Sequence, residues 1–354
     1  MACSNEMKTA IINESTKFSG LGRYAQYLAK ATNSELFSLR LDYSINPSNY
    51  PGNVMVFTPI VKVGNGWYFN HRFPAISLRM PKKWVKDKIS KETVLHYSSQ
   101  LIPWINLENR YIFTVHDLFG LNREFGNNKI EKILKQNLKN IISADRIVTV
   151  SNHVQKQLDA LGASGKTTTI YPPVSSSFKK LENKSIIRNY LGLPDNKILV
   201  LSVSSQDPRK NLKAVVETMN VLGNDFALVR VGKPVDRCYS FTNVDDEKLN
   251  MIFNACDALL FPSLDEGFGY PLAEAMTVGL PSVASDIEIF RETAGDAAVL
   301  VDPSPVKLAK AIQEAIANSE HLAKKGIKKS ERYSLERFKS DVCALYSELE
   351  LDGF

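Results

Sequence analysis

The sequence lacks the features that assign a chain to a membrane or to the secretory pathway. No apolar run approaches the roughly 18 residues that a membrane-spanning helix needs. The opening stretch, MACSNEMKTAIINES, has no basic segment followed by an apolar core, so it predicts no signal peptide. A cytoplasmic protein is therefore expected.

Cysteine is scarce as well, which argues against a disulfide framework or a zinc module. The four cysteines are Cys3, Cys238, Cys256 and Cys343, and no two of them have the spacing of metal ligands. Free thiols and no protein-bound metal are the expectation.

Length and charge are the first positive signals. The chain has 354 residues, which is too long for one ordinary core and predicts two domains of roughly 100–200 residues each. Residues 1–172 hold 22 Lys and Arg against 12 Asp and Glu, whereas residues 173–354 hold 22 against 26. A basic first half suits an anionic partner such as a phospholipid surface or a phosphorylated acceptor, although a solvated basic surface explains the same count.

Short apolar segments alternate with helical patterns in both halves of the chain. A turn-rich stretch at residues 171–185, YPPVSSSFKKLENKS, separates the two series and indicates a linker. Alternation of this kind is typical of parallel sheets wrapped by helices. The predicted fold class is α/β, with two Rossmann-like doubly wound domains facing a cleft, and ligands are expected beyond the carboxyl ends of the strands. Candidate strands lie at residues 9–13, 54–57, 94–97, 112–115, 146–150, 198–203, 226–231, 258–262, 282–284 and 297–301.

Glycines follow the first candidate strand in FSGLGRYAQYLAK. Gly20 and Gly22 let the backbone approach a ligand, and a helix that begins there attracts a phosphate. With Ala25 they also satisfy G-x-G-x-x-A, and Asp42 follows about 20 residues later, at the end of the possible strand SLRLD. An NAD-dependent oxidoreductase that uses Gly20, Gly22 and Asp42 is therefore an alternative function. The interval between the strand and Gly20 is longer than this fingerprint requires.

Charged and polar residues follow two later strands. His116 comes directly after the strand of YIFTVHDL, where it can contact a sugar hydroxyl or a phosphate. Arg209 and Lys210 open a helix in DPRKNL, and two cations at a helix start suit a diphosphate. Each segment also has an ordinary structural explanation: local hydrogen bonding for His116, and a solvated pair for Arg209 and Lys210.

The most specific segment is DALLFPSLDEGFGYPLAEAMTVGLPSVASD. Glu266 lies in a loop with Gly267, Phe268 and Gly269, whose glycines let the backbone come close to a ligand. Glu274 lies eight residues later, in the opening turns of a helix. A carboxylate accepts two hydroxyl hydrogen bonds at once, which suits the diols of a sugar or a ribose.

These segments together resemble the retaining glycosyltransferases of family 4, which have the GT-B fold of two Rossmann-like domains. The matching segments run in the family's order through SGLGRYA, TVHDL, TVSNHV, YPPV, DPRKNL, the two-glutamate segment and GDAAVLVDP, and they cover nearly the whole chain. The PRKN and YPPV forms resemble the branch rich in polysaccharide and O-antigen mannosyltransferases. The resemblance implies an acceptor-side domain at 1–172, a nucleotide-sugar domain at 173–334, and a final helix at 335–354 that packs back on the first domain.

The resemblance also implies roles for single residues and a reaction. It implies transfer of a hexose, mannose before glucose, from a GDP- or UDP-linked sugar to a glycan or lipid-linked acceptor, with retention and without a metal or other cofactor. A sugar-nucleotide epimerase or hydrolase of the same fold is an alternative. Ser204 and Ser205 stand where many members carry Gly-Arg, so the resemblance leaves the full phosphate clamp undefined. The implied catalytic residues are Glu266, Lys210, Arg209 and His116, and the implied donor-binding residues are Gly20, Gly22, Gly267, Phe268, Gly269, Glu274 and Ser151.

A basic stretch in the first half predicts a peripheral contact with an anionic membrane. Residues 79–91 carry six Lys and Arg around Met80, Trp84, Val85 and Ile89. Lysine stems and a tryptophan can lie at headgroup depth. A basic loop whose Trp84 packs into its own domain is the competing interpretation.

Overall fold

The computed structural model describes residues 8–13, 20–38, 54–56, 60–63, 66–69, 89–102, 108–121 and 128–351. The chain divides into two compact units. Unit 1 comprises Met1–Ile170 and Phe338–Phe354, and unit 2 comprises Tyr171–Arg337.

The described elements alternate between strands and helices. The strands are β1 (Thr9–Asn13), β2 (Glu35–Ser38), β3 (Val54–Val56), β4 (Ile60–Val63), β5 (Gly66–Phe69), β6 (Val94–Tyr97), β7 (Tyr111–Val115), β8 (Arg146–Thr149), β9 (Thr167–Thr169), β10 (Ile198–Val203), β11 (Phe226–Val231), β12 (Cys238–Phe241), β13 (Ala258–Phe261), β14 (Ser282–Ser285) and β15 (Val299–Val301). The α-helices are α1 (Gly20–Thr32), α2 (Asn128–Ile142), α3 (Asn152–Leu158), α4 (Lys184–Leu191), α5 (Leu212–Leu222), α6 (Asp246–Ala255), α7 (Tyr270–Val278), α8 (Glu288–Thr293), α9 (Pro305–Ala317), α10 (Ser319–Ser330) and α11 (Leu335–Leu351).

Unit 1 is built on a parallel sheet in the order β3-β2-β1-β6-β7-β8-β9, and β4 and β5 form a separate antiparallel hairpin. Strands β1 and β6 are buried along their whole length, as expected for apolar segments of a sheet covered on both faces. The last helix, α11, belongs to this unit: Phe338 lies 5.5 Å from the ring of Tyr24, and the Tyr346 hydroxyl lies 2.7 Å from Nδ1 of His96.

Unit 2 repeats the plan with a parallel sheet in the order β12-β11-β10-β13-β14-β15. Its core cluster joins β10, β11, β13 and β14 to α5 and α9 through side chains such as Val200, Leu260 and Ile312, each fully buried. Because β10 lies in the middle of the sheet while its neighbours follow it in the chain, the order reverses there. This doubly wound order in both units is the fold class that the sequence predicted.

Three sequence expectations need correction or fall outside the described residues. Cys238 and Cys256 are free, but Cys343 is disulfide-bonded, so the expectation of free thiols is wrong at that position. Whether a cysteine is paired depends on distances in the folded chain, which sequence spacing does not encode. Of the possible strand SLRLD, only Ser38 is described, as the last residue of β2. Asp42 lies outside the described residues.

Candidate active site

The strand order of unit 2 defines a crevice at the carboxyl ends of β10 and β13. β10 pairs with β11 on one side and with β13 on the other. Ligands of open α/β sheets bind where the strand order reverses. Residues 204–211 follow β10 and residues 262–269 follow β13, so these two loops form the candidate site.

The loop after β10 presents two cations on a short helical turn. Oδ1 of Asp207 accepts a hydrogen bond of 3.1 Å from the Arg209 amide and so caps the 3-10 turn Pro208–Lys210. Asn211 ends the turn with φ of 51°, a left-handed conformation that Asn adopts more readily than most residues. The cap and the turn together fix the backbone that carries Arg209 and Lys210.

The loop after β13 is joined to this turn by hydrogen bonds and ion pairs. The Leu264 amide donates to the Arg209 carbonyl at 2.7 Å. Nζ of Lys210 forms an ion pair with Oε1 of Glu266, and Nη1 of Arg209 lies 3.9 Å from Oε2 of the same carboxylate. The Glu266 side chain is 9% exposed, so water screens this cluster less than it screens a surface pair. The structure therefore brings together Arg209, Lys210 and Glu266, which the sequence singled out separately.

The start of α7 requires glycine. Gly269 has φ of 91°, and a Cβ there would lie 2.9 Å from Cε1 of Phe290. Backbone conformation and space both exclude a side chain, so the chain can turn sharply from the Glu266 loop into α7. The ring of Phe268 is buried against Tyr270 and Tyr333, which means that only its backbone can serve a ligand directly.

Glu274 lies in the middle of α7 and is 1% exposed. Its neighbours on the helix are apolar and buried, and they include Leu272, Ala273 and Met276. A fully buried glutamate on an apolar helix is uncommon unless its carboxylate has polar partners. This burial sets Glu274 apart from an exposed glutamate that only complements the helix dipole.

The strand-end histidine of unit 1 is held neutral. His116 is 7% exposed, its ring packs edge-on against Tyr24, and its Nε2 lies 2.9 Å from the Ser98 carbonyl oxygen. Burial lowers the pKa of His116 to about 4, and the hydrogen bond to Ser98 only partly opposes that shift. Because a carbonyl can only accept, Nε2 carries the proton and Nδ1 is left as an acceptor. His116 can therefore accept a hydrogen bond from a hydroxyl but does not add positive charge near neutral pH.

A second buried histidine lies on the adjacent strand, and the sequence reasoning did not single it out. His96 is fully buried, with Nδ1 2.7 Å from the Tyr346 hydroxyl and Nε2 2.8 Å from Oγ1 of Thr114. Thr114 also bonds the Tyr24 hydroxyl at 3.2 Å. Burial, with a smaller contribution from His116, lowers the pKa of His96 to about 3. This network ties α11 and α1 to the sheet with neutral groups.

The remaining predicted residues of unit 1 lie at helix starts. Gly20 is the first residue of α1 and Gly22 lies within its first turn, where amide groups have no partner inside the helix. This position suits an anion but not the tight strand-to-helix turn of a dinucleotide fingerprint, so it does not favour the oxidoreductase alternative. Ser151 is fully buried and caps α3 by accepting from the Val154 amide at 3.2 Å.

Two other predictions have little or no test in the described residues. Residues 79–88 of the basic stretch lie outside them; Ile89 is buried, and Lys91 pairs with Glu108 at 2.8 Å. Within the described ranges, no helix combines the length and the apolar character needed to cross a bilayer. The same ranges contain no group of three His, Cys, Asp or Glu side chains placed to hold a metal ion.

The loops and helix that carry the cluster lie within residues 183–332, which match the family model of glycosyl transferases group 1. This part of the chain is therefore similar to the glycosyl transferases of group 1. The match includes Arg209, Lys210, Glu266 and Glu274, so the candidate site of unit 2 lies within the matched residues.

The curated relatives include bacterial mannosyltransferases. The O-antigen chain mannosyltransferase RfbU of Salmonella typhimurium is 27% identical over 237 residues, which cover 61% of this chain and 62% of RfbU. The serotype-specific mannosyltransferase WbdA of Escherichia coli is 28% identical over 250 residues, which cover 62% of this chain and 30% of WbdA. The matches thus span less than two thirds of either relative. They confirm the resemblance to a mannosyltransferase-rich branch.

Solved structures establish the fold of the whole chain. Sucrose-phosphate synthase from Thermosynechococcus elongatus matches with a TM-score of 0.75 at 19% identity, covering 98% of this chain and all of that one. HepE of Anabaena, solved in complex with UDP and glucose, matches with a TM-score of 0.78 at 16% identity, covering 97% of this chain and all of HepE. The predicted GT-B fold is confirmed by these matches.

Proposed function

We propose that the protein transfers a hexose from a nucleotide-sugar to an acceptor hydroxyl with retention of anomeric configuration and without a metal. The observation that carries the proposal is the cluster of Lys210, Arg209 and Glu266 at the point where the strand order of unit 2 reverses. Two cations beside a carboxylate that accepts hydrogen bonds suit a ligand that has both a diphosphate and sugar hydroxyls.

Lys210 and Arg209 act on the leaving diphosphate. In the structure Lys210 pairs with Glu266, and a diphosphate that enters the loop offers Lys210 a second anionic partner. Charge grows on the diphosphate as its bond to the sugar breaks, and fixed cations stabilise that charge most when the site is shielded from water. The acceptor oxygen bonds to the anomeric carbon on the face from which the diphosphate departs, and the hydroxyl proton goes to the departing phosphate oxygen. Retention then needs no protein nucleophile.

Carboxylates and backbone groups orient the donor in the same proposal. Glu266 accepts hydrogen bonds from sugar hydroxyls, and the backbone of Gly267 to Gly269 approaches the sugar closely. Glu274 binds the ribose diol. His116 contacts the transferred sugar through Nδ1, as an acceptor only, since its Nε2 proton is donated to Ser98. Catalysis rests on positioning and electrostatics.

Mannose is proposed as the sugar because RfbU and WbdA are named mannosyltransferases, and this favours a GDP-linked donor. Glucose is the second choice, supported by the complex of HepE with UDP and glucose. The proposed acceptor is a hydroxyl of a glycan or lipid-linked glycan, in keeping with the O-antigen names of the relatives.

A thermal-shift series tests the proposal at the level of the donor. GDP, UDP and ADP, their mannose and glucose derivatives, and NADH are each added to the whole chain. A nucleoside diphosphate at about 100 times its dissociation constant stabilises the folded state by about 2.7 kcal/mol. A rise in melting temperature with one of these diphosphates and none with NADH is expected. Binding of NADH without any diphosphate would overturn the proposal in favour of the oxidoreductase.

Product analysis separates transfer from the epimerase or hydrolase alternative. Incubation with the donor alone should leave most of the donor intact, because the acceptor hydroxyl is a reactant. Rapid and complete conversion without an acceptor would contradict a transferase. Activity that disappears with EDTA and returns with a divalent ion would contradict the metal-free mechanism.

The basic stretch at residues 79–91 is proposed to hold the enzyme on an anionic membrane. Each basic residue near such a surface contributes about 1 kcal/mol. Sedimentation with vesicles of anionic phospholipid should therefore depend on salt and should be lost when Lys82, Lys83, Lys86 and Lys88 are changed to Glu. No sedimentation at low salt would end this part of the proposal and leave the transferase chemistry untouched.

A further inference from the structure

An arginine is fully buried inside the sheet of unit 2. Arg230 lies on β11, in the apolar segment FALVRV, and is the largest of the fully buried side chains in the described part of the chain. Arginine is rarely buried unless its charge is paired. Its presence on a strand next to the centre of the sheet therefore calls for a physical reason.

The guanidinium points to the turn that follows β10. Nη1 donates to the hydroxyls of Ser202 and Ser204 at 3.3 and 3.1 Å, and Nη2 donates to the Ser204 carbonyl at 2.8 Å. A contact of 3.5 Å to the Ser205 carbonyl and a bond of 2.8 Å from Nε to the Lys233 carbonyl complete the set. These contacts match the five donors of a guanidinium, and every acceptor is a neutral oxygen.

The backbone next to this arginine is shaped to hold it. Gly232 has φ of +140°, and a Cβ at this position would lie 2.4 Å from the Ser204 carbonyl oxygen and 3.1 Å from Nη2 of Arg230. Only glycine lets the strand end pass this close to the Ser204 turn. The backbone of this loop is therefore adapted to the position of the Arg230 guanidinium.

A second buried arginine in the same unit shows what is unusual about the first. Arg188 also donates to backbone carbonyls, but its Nη2 lies 2.7 Å from the carboxylate of Asp257. Arg230 has no ion pair with any Asp or Glu in the described residues. Burial lowers its pKa, yet an arginine keeps its proton in proteins. Within the described part of the chain, Arg230 is thus a buried positive charge without an Asp or Glu partner.

The two cations of the neighbouring loop already have carboxylate partners. Arg209 lies 3.3 Å from Asp207, and Lys210 pairs with Glu266. Two cations face two carboxylates, so this turn alone offers an incoming anion little net attraction. The uncompensated charge beside it is that of Arg230.

We propose that Arg230 is a positioning residue for the diphosphate of the nucleotide-sugar. It supplies the net positive charge that draws the diphosphate to the loop of residues 204–210, and its hydrogen bonds fix the Ser204–Ser205 backbone. It does not touch the ligand, because its donors are occupied by protein oxygens. Ser204 accepts from Arg230, which leaves its own hydroxyl proton to be donated. The inference rests on the proposed function. Arg230 takes the place of the arginine that many members of the resembled family carry where this chain has Ser204 and Ser205.

Binding measurements on Arg230→Gln, Arg230→Lys and Arg188→Gln test this role. The probes are GDP and UDP, with guanosine and uridine as their uncharged counterparts. Arg230→Gln should weaken diphosphate binding on the order of tenfold, as expected for one charge removed near the ligand, and leave nucleoside binding within about twofold. Arg230→Lys should retain most of the diphosphate affinity because the charge remains. Arg188→Gln should lower the melting temperature without changing the ratio of diphosphate to nucleoside affinity.

If Arg230→Gln does not fold, the Ser202→Asp variant is measured instead. It places a carboxylate at a hydroxyl that accepts from Nη1, and so cancels the charge in place, while Ser202→Asn is the neutral control. Diphosphate affinity should fall for the Asp variant only. Unchanged diphosphate binding in the charge-removing variant, or an equal loss of nucleoside and diphosphate binding, overturns the inference and leaves the proposed function standing. Absence of diphosphate binding by the wild-type protein overturns the proposed function itself.

Discussion

The two units share one strand order but differ in the chemistry at the carboxyl ends of their strands. In unit 1 the two buried histidines, His96 on β6 and His116 after β7, are neutral, because burial lowers the pKa of each well below neutral pH. In unit 2 the corresponding loops hold charged groups, with Lys210 paired to Glu266 and Arg230 buried beside them. The fold therefore gives each unit a ligand-binding edge in the same place, and the side chains of each unit set which chemical groups can be recognised there.

The difference has a physical consequence for the proposed reaction. Neutral, buried acceptors suit sugar hydroxyls, since they add no charge that must be desolvated. Cations held by the protein suit a diphosphate whose charge grows during the reaction. Removing a charged side chain should therefore lower activity mainly when the change is in unit 2. A change of pH should affect stability mainly in unit 1.

The largest effect is expected when the charge of Lys210 in unit 2 is removed. Lys210→Ala removes a charged contact to the leaving diphosphate, and interactions of this kind are worth about 2–4 kcal/mol, or roughly 30- to 1000-fold in turnover. Single-turnover rates with a saturating donor measure the loss.

Lys213→Ala is the matched control for this prediction. Lys213 lies three residues further along, is 85% exposed and pairs with Glu217 at 3.7 Å. An exposed pair of this type contributes about 0–1 kcal/mol, so the variant should keep nearly full activity. Equal rates for the Lys210 and Lys213 variants would remove Lys210 from the mechanism.

The next effect concerns pH and is expected in unit 1. His96 and His116 have pKa values lowered to about 3 and about 4, from 6.5 in an unfolded chain. The unfolded chain therefore binds more protons than the native one below about pH 6.5, and stability is lost as the pH falls from there towards 4. Between about pH 7 and pH 5 the loss should be about 2 kcal/mol for each histidine.

Hydrogen-exchange protection factors of the two units at these pH values measure this loss. Peptides from β6, β7 and α11 should lose protection before peptides from β10 and β13. The His96→Gln variant should have lower stability near neutral pH but a flatter dependence on pH. A wild-type pH dependence that is equal in both units, or unchanged in that variant, would contradict the assignment of the buried histidines.

The smallest expected effect concerns the two glycines at the ends of α7, of which only one should affect donor binding as well as stability. Gly269→Ala forces a side chain into a left-handed conformation and against Phe290, which should cost about 1–2 kcal/mol and distort the Glu266 loop. Gly279→Ala imposes a similar backbone strain at the other end of α7, where φ is 74°. Both should lower the melting temperature, but only Gly269→Ala should also weaken donor binding measured by calorimetry. Equal donor affinity in the two variants would show that the Glu266 loop is not part of the site.

Much of the candidate site of unit 2 could be predicted because its signals are local. Glu266, the flanking glycines, Pro271 and Glu274 lie within one short segment whose residue types determine a turn followed by a helix. The positions of β10 and β13 followed from their apolar character, and with them the loops at their ends.

Arg230 and His96 could not be assigned in the same way. An arginine within FALVRV and a histidine within VLHY are visible as polar residues in apolar strands, but the sequence does not say what surrounds them. Ser204 lies 26 residues before Arg230, and Tyr346 lies 250 residues after His96. Only the pairing of β10 with β11, and the inclusion of α11 in unit 1, bring these groups together.

The sequence by itself determined the fold class, the family resemblance and the identity of the chemical groups, because periodicity, turn residues and short motifs act over a few neighbouring positions. The tertiary structure decided the charge state and the partners of those groups. Burial makes His116 a neutral acceptor, and proximity pairs Lys210 with Glu266. Among the described residues, it also leaves Arg230 without an Asp or Glu partner. Desolvation and Coulomb interactions depend on distances through space, which residues far apart in the chain acquire only when the sheet assembles.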